Sequence, residues 1–512
     1  MNNFKQKFTS FLRGRNFASG LLVAIIVTAV VFVNVLCYTL SAYFGLYIYS
    51  PETPDFTIGD TFSDVFNKAV EDKGEKVTVT FCKSEDEVIA DSTGSYVRET
   101  ALRFAEKYPQ LISLRYVNLI TKYDCDTGED VAEELERYRK DMKGNDTVLH
   151  NTSVIFSTDT SWRVMTGIVS GTGYADFYTL DSNYYITSYN GEEKFASMVA
   201  WVLADEHGTA YFTIGHGESA SAELNSVLTC AGYYVSTLNL KDSEIDRIPE
   251  DAALLIISNP TTDIERAKSG SGVVAEYEHI KNYAEGGGDI LVTVDPYAKR
   301  LPNLYALLAE YGISVAKTDD GELQTIKDSS NAITTDGFTL VVELDGAEDN
   351  TISREMKSKL APLGGNVILR DVAPLSLSGA AKPLLVTSPS SECYSGGEVT
   401  DSSGSYAIAA YSTLTGTSGK SSGLFFIPSI YLTATDAMVT NGYANKDFVY
   451  SLLDVFYGMG DMPYGTSSIV YDTGILENLT MRTARIYTAI LMALPIALGA
   501  FGAVMLIRRK NR

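Results

Sequence analysis

The sequence predicts an α/β protein in which a doubly wound extracytoplasmic domain and a smaller α/β domain are flanked by two transmembrane helices. Apolar strand segments alternate with amphipathic helical segments through the middle of the chain, which is the pattern of a parallel sheet. An uncharged run near each end is long enough to cross a bilayer. Hydrophobic residues make up 45% and charged residues 21%, so a wholly disordered or fibrous protein is excluded.

The first uncharged run extends from Arg15 to Glu52, and residues 21–43 are almost wholly apolar. We therefore predict a cytoplasmic tail over 1–17 and a transmembrane helix over 18–49. A cleaved signal peptide is the alternative. The run is longer than the roughly 7–15 apolar residues of a signal peptide, and no clear small-residue cleavage site follows it.

The second uncharged run predicts a transmembrane helix over 486–507, with a linker over 466–485 before it and a cytoplasmic tail over 508–512 after it. Basic residues lie between each run and the nearer end of the chain. Lys and Arg next to a membrane span stay in the cytoplasm. We therefore expect a cell-membrane protein with two spans, both termini in the cytoplasm and residues of about 50–484 outside.

The charge of the chain limits its partners. The sequence has 41 Lys and Arg against 64 Asp and Glu, a net charge of −23, and eight of the basic residues lie at the two ends. The acidic body excludes nucleic acid as a partner, because phosphate binding needs clustered Lys and Arg. The lipid bilayer is an expected partner. The five cysteines are too few for a disulfide scaffold, and both a Cys82–Cys125 disulfide and two free thiols fit the sequence.

The smaller α/β domain is predicted over 60–205. Val77–Phe81 reads as a strand, and Val97, Ala101, Phe104 and Tyr108 follow it at helical spacing. Further strands are expected over 114–119 and 154–156, and a helix over 192–205 leads out of the domain.

The larger domain is predicted over 206–465. Strands over 210–214, 254–257 and 290–294 alternate with a helix that ends at Gly232 and another that ends at Gly286, so we expect a doubly wound parallel sheet. The rest of the domain is predicted to hold a helix over 445–457, exposed Ser/Thr/Gly-rich loops over 388–422, and strands over 338–343, 366–370, 383–387, 405–411 and 424–427.

Four segments carry a resemblance to a known family: 211–218 (YFTIGHGE), 257–264 (ISNPTTDI), 286–296 (GGGDILVTVDP) and 441–448 (NGYANKDF). In order and spacing they resemble the GldG-type auxiliary components of ABC transporters, a family first named from gliding motility. The resemblance implies a larger domain with the flavodoxin-like fold of class I glutamine amidotransferases and a thioredoxin-like smaller domain. It also implies an ABC ATPase and a permease as partner subunits.

The strongest candidate site is the turn Gly215-His216-Gly217-Glu218, between a strand and a helix. A helix N-terminus directs backbone N–H groups at an anion, and His216 and Glu218 could serve as acid and base. The alternative is a tight structural turn in which the acid caps the helix. The segments after the next two strands add the candidate binding residues Asn259, Thr261, Asp263 and Asp295.

Catalysis is not expected. An amidotransferase-like enzyme needs a Cys on a sharp strand-to-helix turn, whereas the strand that ends at Ser258 is followed by Asn-Pro-Thr-Thr-Asp. No metal or cofactor is predicted, because residues 124–130 depart from the calcium-loop pattern and no Cys or His spacing suits zinc. Lys420 lacks the glycine six positions earlier that a nucleotide-binding loop needs, so an ATPase must be another chain.

The sequence therefore predicts a non-catalytic auxiliary membrane subunit of an ABC-type transport system, whose extracytoplasmic body binds a substrate or partner. One alternative is a stand-alone cell-surface module that binds an extracellular ligand such as a glycan or peptide. The other is a hydrolase that uses His216 and Glu218.

Overall fold

A computed structural model describes residues 56–470, apart from 170, 182, 243–246, 268–274, 299, 317–322, 396, 418, 440–441, 459–461 and 467. The predicted tails, both predicted transmembrane helices (18–49 and 486–507) and residues 471–485 of the predicted linker lie outside the described residues. Within the described ranges, no helix combines the length and the apolar character that crossing a membrane requires.

The first sheet has five strands in the order β3-β2-β1-β4-β5. β1 and β2 run parallel, and the other neighbours run antiparallel. The predicted strands over 77–81, 114–119 and 154–156 are confirmed as β1, β2 and β4. The strands are β1 Val77–Phe81, β2 Ile112–Asn118, β3 Tyr123–Asp124, β4 Val154–Ser157 and β5 Trp162–Met165.

Four of the five helices of this region contribute buried residues to a hydrophobic core that they share with the first sheet. In that core the rings of Phe104 on α3 and Phe195 on α5 stack with their centroids 4.6 Å apart. α3 begins where the Asp91 side chain accepts hydrogen bonds from the N–H groups of Thr93 and Gly94. The helices are α1 Ser63–Lys68, α2 Glu85–Ala90, α3 Ser92–Lys107, α4 Ala132–Arg137 and α5 Gly191–Leu203.

Four short strands lie between β5 and α5, and they form two antiparallel pairs. They are β6 Ile168–Val169, β7 Thr172–Gly173, β8 Tyr178–Leu180 and β9 Ile186–Tyr189.

The second sheet has a parallel half that begins with β10 Thr209–Thr213, β11 Tyr234–Leu238, β12 Ala252–Ser258 and β13 Asp289–Thr293. The order β11-β10-β12-β13-β23, in which β23 is Ser421–Ile427, places the first strand between the second and third, which is the doubly wound order 2-1-3-4-5. All four neighbouring pairs in this half are parallel. The predicted parallel sheet is therefore confirmed for these five strands.

The other half of the second sheet is antiparallel and continues the order as β23-β22-β19-β16-β17. β14 and β18 pair with each other beside β22, and β15, β20 and β21 form a separate sheet. The strands are β14 Ile313–Val315, β15 Thr325–Lys327, β16 Thr339–Leu344, β17 Val367–Arg370, β18 Leu375–Leu377, β19 Lys382–Val386, β20 Ser391–Ser395, β21 Glu398–Gly404, β22 Ala407–Thr415, β23 Ser421–Ile427 and β24 Ile469–Val470.

The prediction of exposed loops over 388–422 is wrong, because β20, β21 and β22 occupy most of this segment. Its hydroxyl side chains lie along strands, and those of Ser391 and Ser412 are buried. Thr is β-branched and suits a strand, so Ser/Thr density did not distinguish a loop from a sheet here.

Helices cover both faces of the second sheet. α6, α9 and α11 share a hydrophobic core with one face, and α7 and α8 share a core with the other. The predicted helix over 445–457 is confirmed with the same bounds. The helices are α6 Ala222–Cys230, α7 Glu276–Glu285, α8 Pro302–Glu310, α9 Thr351–Leu360, α10 Thr435–Val439 and α11 Asn445–Tyr457.

The two α/β regions are joined by a buried ion pair and a strand pairing. Glu193 on α5 lies 2.8 Å from the Lys446 ammonium on α11, and it accepts a 2.5 Å hydrogen bond from Tyr450. β24, at the start of the predicted linker, pairs antiparallel with β9.

Candidate functional site

The candidate site lies at the carboxyl ends of β10, β12 and β13. β11 lies on one side of β10 in the sheet, and β12 lies on the other. The strand order therefore reverses between β10 and β12, which is a topological switch point. Ligands of open α/β sheets bind in the crevice outside the strand ends at such a point. The loops after these three strands carry the residues that the sequence singled out.

The turn after β10 is built around two glycines with positive φ. Gly215 has φ +113° and Gly217 has φ +71°, and L residues with side chains rarely adopt either value. A Cβ on Gly217 would lie 2.2 Å from the Thr261 hydroxyl oxygen. Thr261 in turn donates a 2.9 Å hydrogen bond from that hydroxyl to the His216 carbonyl. The loops after β10 and β12 are therefore in direct contact.

The side chain of His216 is buried between two carboxylates. Its Nδ1 lies 3.1 Å from Glu218 Oε1, and its Nε2 lies 2.9 Å from Glu276 Oε2. His216 and Glu276 are each only 2% exposed. With both ring nitrogens beside carboxylate oxygens, the imidazole is held in its doubly protonated form.

The electrostatics of this cluster follow from the two hydrogen bonds. The bonds to Glu218 and Glu276 outweigh burial and raise the pKa of His216 to about 9. Burial alone would raise the pKa of Glu218, but the hydrogen bonds from His216 lower it to about 2. At neutral pH His216 is therefore an imidazolium and has no free lone pair with which to act as a base.

Glu276 is the site residue that sequence reasoning missed. It lies in the first turn of α7, and its Oε2 also accepts a 2.7 Å hydrogen bond from the Glu265 N–H. Its Oε1 is buried, and among the described residues it has no hydrogen-bond partner. The helical pattern gave a weak signal, since an acid at the start of α7 suits the helix dipole without any contact to His216.

The expected anion site is not formed as predicted. α6 begins at Ala222, where Ser221 is the N-cap and its hydroxyl accepts a 3.1 Å hydrogen bond from the Leu224 N–H. The turn 215–218 therefore ends three residues before the helix. The N–H of His216 is occupied by Glu218 Oε2 at 2.6 Å. The alternative, in which Glu218 caps the helix, is wrong for the same reason.

Asn259 follows β12 with φ +53°, a conformation uncommon for a residue with a side chain. Its amide nitrogen donates to the Ser219 hydroxyl at 2.9 Å, and its Oδ1 accepts from the Asp295 N–H at 3.0 Å. Asn259 therefore ties together the loops that follow β10, β12 and β13.

Asp263 and the side chain of Asp295 have local structural roles. Asp263 accepts hydrogen bonds from the N–H groups of Asn303 and Leu304, at 2.8 and 3.1 Å, and so caps the start of α8. Asp295 Oδ1 accepts from the Tyr297 N–H at 2.9 Å, within its own turn. The structure thus brings together Gly215, His216, Gly217, Glu218, Asn259 and Thr261, together with the backbone of Asp295.

The four cysteines of the described region are all free thiols. Cys82, Cys230 and Cys393 are buried free thiols, and Cys125 is an exposed one. Cys82 and Cys125 are therefore not bonded to each other. In the part of the chain that the structure describes, no group of three or more His, Cys, Asp or Glu is arranged to hold a metal ion.

No protein-family model matches the sequence, and no curated protein matches it. Among solved structures, the N-terminal domain of mmIFT52 is 18% identical with a TM-score of 0.35, over 50% of this chain and 99% of that one. A ThuA-like protein from Bacteroides uniformis is 12% identical with a TM-score of 0.31, over 49% and 93%. A glutamine amidotransferase from Thermotoga maritima is 12% identical with a TM-score of 0.27, over 49% and 98%. These scores are low, so the assignment of a mixed α/β fold rests on the strand order.

Proposed function

We propose that this protein is a non-catalytic auxiliary membrane subunit of an ABC-type transport system, of the GldG type. In this proposal its predicted spans anchor it beside a permease and an ABC ATPase. The amidotransferase-like larger domain and the thioredoxin-like smaller domain form an extracytoplasmic body that binds a substrate or partner.

The non-catalytic part of the proposal rests on the contacts that His216 and Asn259 already make within the crevice. His216 is an imidazolium that already contacts Glu218 and Glu276, and a base with a pKa raised to about 9 is protonated at neutral pH. Asn259 occupies the strained position at the end of β12, where an amidotransferase-like enzyme would need a nucleophile. Both ends of its amide are engaged by protein groups.

The transport part is supported by the sequence. The uncharged runs predict two spans, and the four family-like segments resemble subunits that act with an ATPase and a permease. A chain with this architecture and without a complete nucleotide-binding loop needs a partner to supply energy.

The experiment is a detergent pull-down of the tagged full-length protein from its own membrane. We expect an ABC ATPase and a permease to copurify in comparable amounts, and neither to copurify with an unrelated two-span protein tagged in the same way. Recovery of the protein alone would contradict the transport role and favour a stand-alone binding module.

A second measurement separates a hydrolase from a binding protein. The double variant His216→Ala, Glu218→Ala should still copurify with the transport subunits if the body stays folded. Loss of a hydrolytic activity in this variant, with copurification intact, would show that the crevice is catalytic after all.

A further inference from the structure

A cavity of about 630 Å³ lies away from the crevice, between the smaller α/β region and the first helix of the larger one. Its wall comes from the segment between α4 and β4, from β5, β8 and α5 on one side, and from α6 on the other. The volume is within the usual range for small-molecule sites, roughly 300–1,000 Å³.

Two cations on this wall lack a carboxylate partner among the described residues. Arg163 on β5 is half-buried, and its guanidinium lies over the rings of Trp201 at 5.2 Å and Tyr234 at 5.6 Å. Lys194 on α5 is 7% exposed, and its ammonium donates to the Ser226 hydroxyl. The adjacent Glu193 is paired with Lys446 instead. Neither cation has a carboxylate oxygen within 4 Å in the described region, so both have N–H groups left to donate to an anionic group of a ligand.

The same wall also carries acids. Asp176 uses one oxygen to accept a 3.0 Å hydrogen bond from the Gly167 N–H, and Glu223 lies in the first turn of α6. Asp141 and Asp181 complete the acidic set, and both accept hydrogen bonds from backbone N–H groups of their own loops. Four acids therefore face the cavity with two cations, and a ligand with negative charge alone would leave the acids unbalanced.

Aromatic side chains provide the apolar part of the wall. Trp162, Trp201 and Tyr178 all line the cavity. The first two are the only tryptophans in the sequence. Their indole rings would report on any ligand that enters.

We propose that this cavity binds a small zwitterion with a carboxylate and an ammonium group, as in a free amino acid or a short peptide. The carboxylate would lie against Arg163 and Lys194, and the ammonium against Asp176 and Glu223, so both sets of charges gain partners. The aromatic walls accept apolar side chains of the ligand. The proposal goes beyond the transport role, since it concerns a different site and holds whether or not the protein joins a transporter.

The experiment is a titration of tryptophan fluorescence in the full-length protein in detergent, with trialanine and with alanine as probes. We expect a saturable change with at least one of the two, which also distinguishes a peptide site from an amino-acid site. Acetate, putrescine and trialanine capped at both ends each lack part of the zwitterion, and each should bind at least tenfold more weakly. Binding of capped trialanine as tight as that of trialanine, or no saturable change with either zwitterion, would overturn the proposal.

Variants of two wall residues test which charged side chains contact the ligand. Arg163→Gln and Glu223→Gln should each weaken binding of the active probe at least tenfold, since each loses a charged hydrogen bond. Arg103→Gln is the matched control, because Arg103 is half-exposed on α3, pairs with Glu99 and does not line the cavity. Lys194 is buried, so the variant Lys194→Gln is expected to unfold. The test therefore uses Arg163→Gln and Glu223→Gln. Affinities equal to that of the unmodified protein in both would refute the assignment.

Discussion

His216 is the residue whose surroundings decide what the crevice can do. Its ring joins Glu218 in the turn after β10 to Glu276 on α7, so it links two segments that are far apart in sequence. Removing one member of a buried charge cluster leaves the others without compensation.

We expect His216→Ala to destabilise the protein by about 3–5 kcal/mol, because two buried carboxylates would then face each other without a cation. Thermal unfolding of the full-length protein, followed by tryptophan fluorescence, measures this. His150→Ala is the control, since His150 is half-buried and outside the cluster, and should change stability by less than about 1 kcal/mol. Similar losses in both variants would contradict the role given to His216.

The cluster of His216, Glu218 and Glu276 predicts that the stability of the folded protein depends on pH. The pKa of His216 is raised from 6.5 to about 9, so its stabilisation is complete below about 6.5 and is lost as the pH rises through about 9. The pKa of Glu218 is lowered to about 2, so its contribution is complete above 4.5 and is lost as the pH falls through about 2. The difference in melting temperature between the unmodified protein and His216→Gln should therefore narrow between pH 6.5 and pH 9. A constant difference over that window would argue against the imidazolium.

At the scale of single residues, the sequence predicted where the turn 215–218 lies but not the contacts that His216 makes there. The glycine pattern and the strand before it identified 215–218, because those signals are local. Glu276 could not be found, since its contact with His216 depends on the packing of α7 against the loops, which no local pattern encodes. The expected anion site failed because Ser221 caps the helix and Glu218 itself accepts the hydrogen bond from the His216 N–H.

At the scale of elements, the contact between the loops after β10 and β12 requires Gly217. We expect Gly217→Ala to cost about 1–3 kcal/mol for the left-handed backbone, plus the clash of the new Cβ with the Thr261 hydroxyl. Gly232→Ala is the matched control, because Gly232 also has positive φ (+96°), but a methyl group added there would meet no other atom within 4 Å. Equal losses in thermal unfolding would show that the loop contact is unimportant. Adding Thr261→Ala to Gly217→Ala should recover part of the loss.

Several strands of the larger domain were predictable, but the arrangement of its antiparallel half was not. Segments 338–343, 366–370 and 424–427 were expected as strands and form β16, β17 and β23. The pairing of these strands is long-range. β23 lies beside β13, which is about 130 residues earlier in the chain, and is the last strand of the parallel half. Alternation of strands and helices signals a parallel sheet, whereas β17 to β23 follow one another along the chain without an intervening α-helix and gave no such signal.

The packing of α5 against α11 depends on the buried pair of Glu193 and Lys446. The ammonium of Lys446 holds the pKa of Glu193 low against the opposing effect of burial. We expect Lys446→Met to destabilise the protein by about 3–5 kcal/mol, and the double variant Glu193→Met, Lys446→Met to recover much of that loss. Lys382→Met removes an exposed pair with Asp349 and should have little effect in the same unfolding assay. A double variant that is worse than Lys446→Met would contradict this account.

At the scale of the whole molecule, the proposal depends on which side of the membrane holds the acidic body. The residues that determine orientation lie near the two ends, and the body itself offers one built-in reporter. Cys125 is an exposed free thiol, whereas Cys82, Cys230 and Cys393 are buried. Burial and the neighbouring Asp124 and Asp126 raise the pKa of Cys125, so labelling needs mildly alkaline buffer to supply thiolate.

We expect a membrane-impermeant maleimide to label the protein on intact cells, because the predicted orientation places Cys125 outside. Cys125→Ser should abolish the signal, since the other described cysteines are shielded and Cys37 lies within the first predicted span. Labelling of lysed cells shows that the thiol is reactive in either case. Signal that arises only after lysis would place the body in the cytoplasm, which would reverse the orientation on which an extracytoplasmic binding role depends.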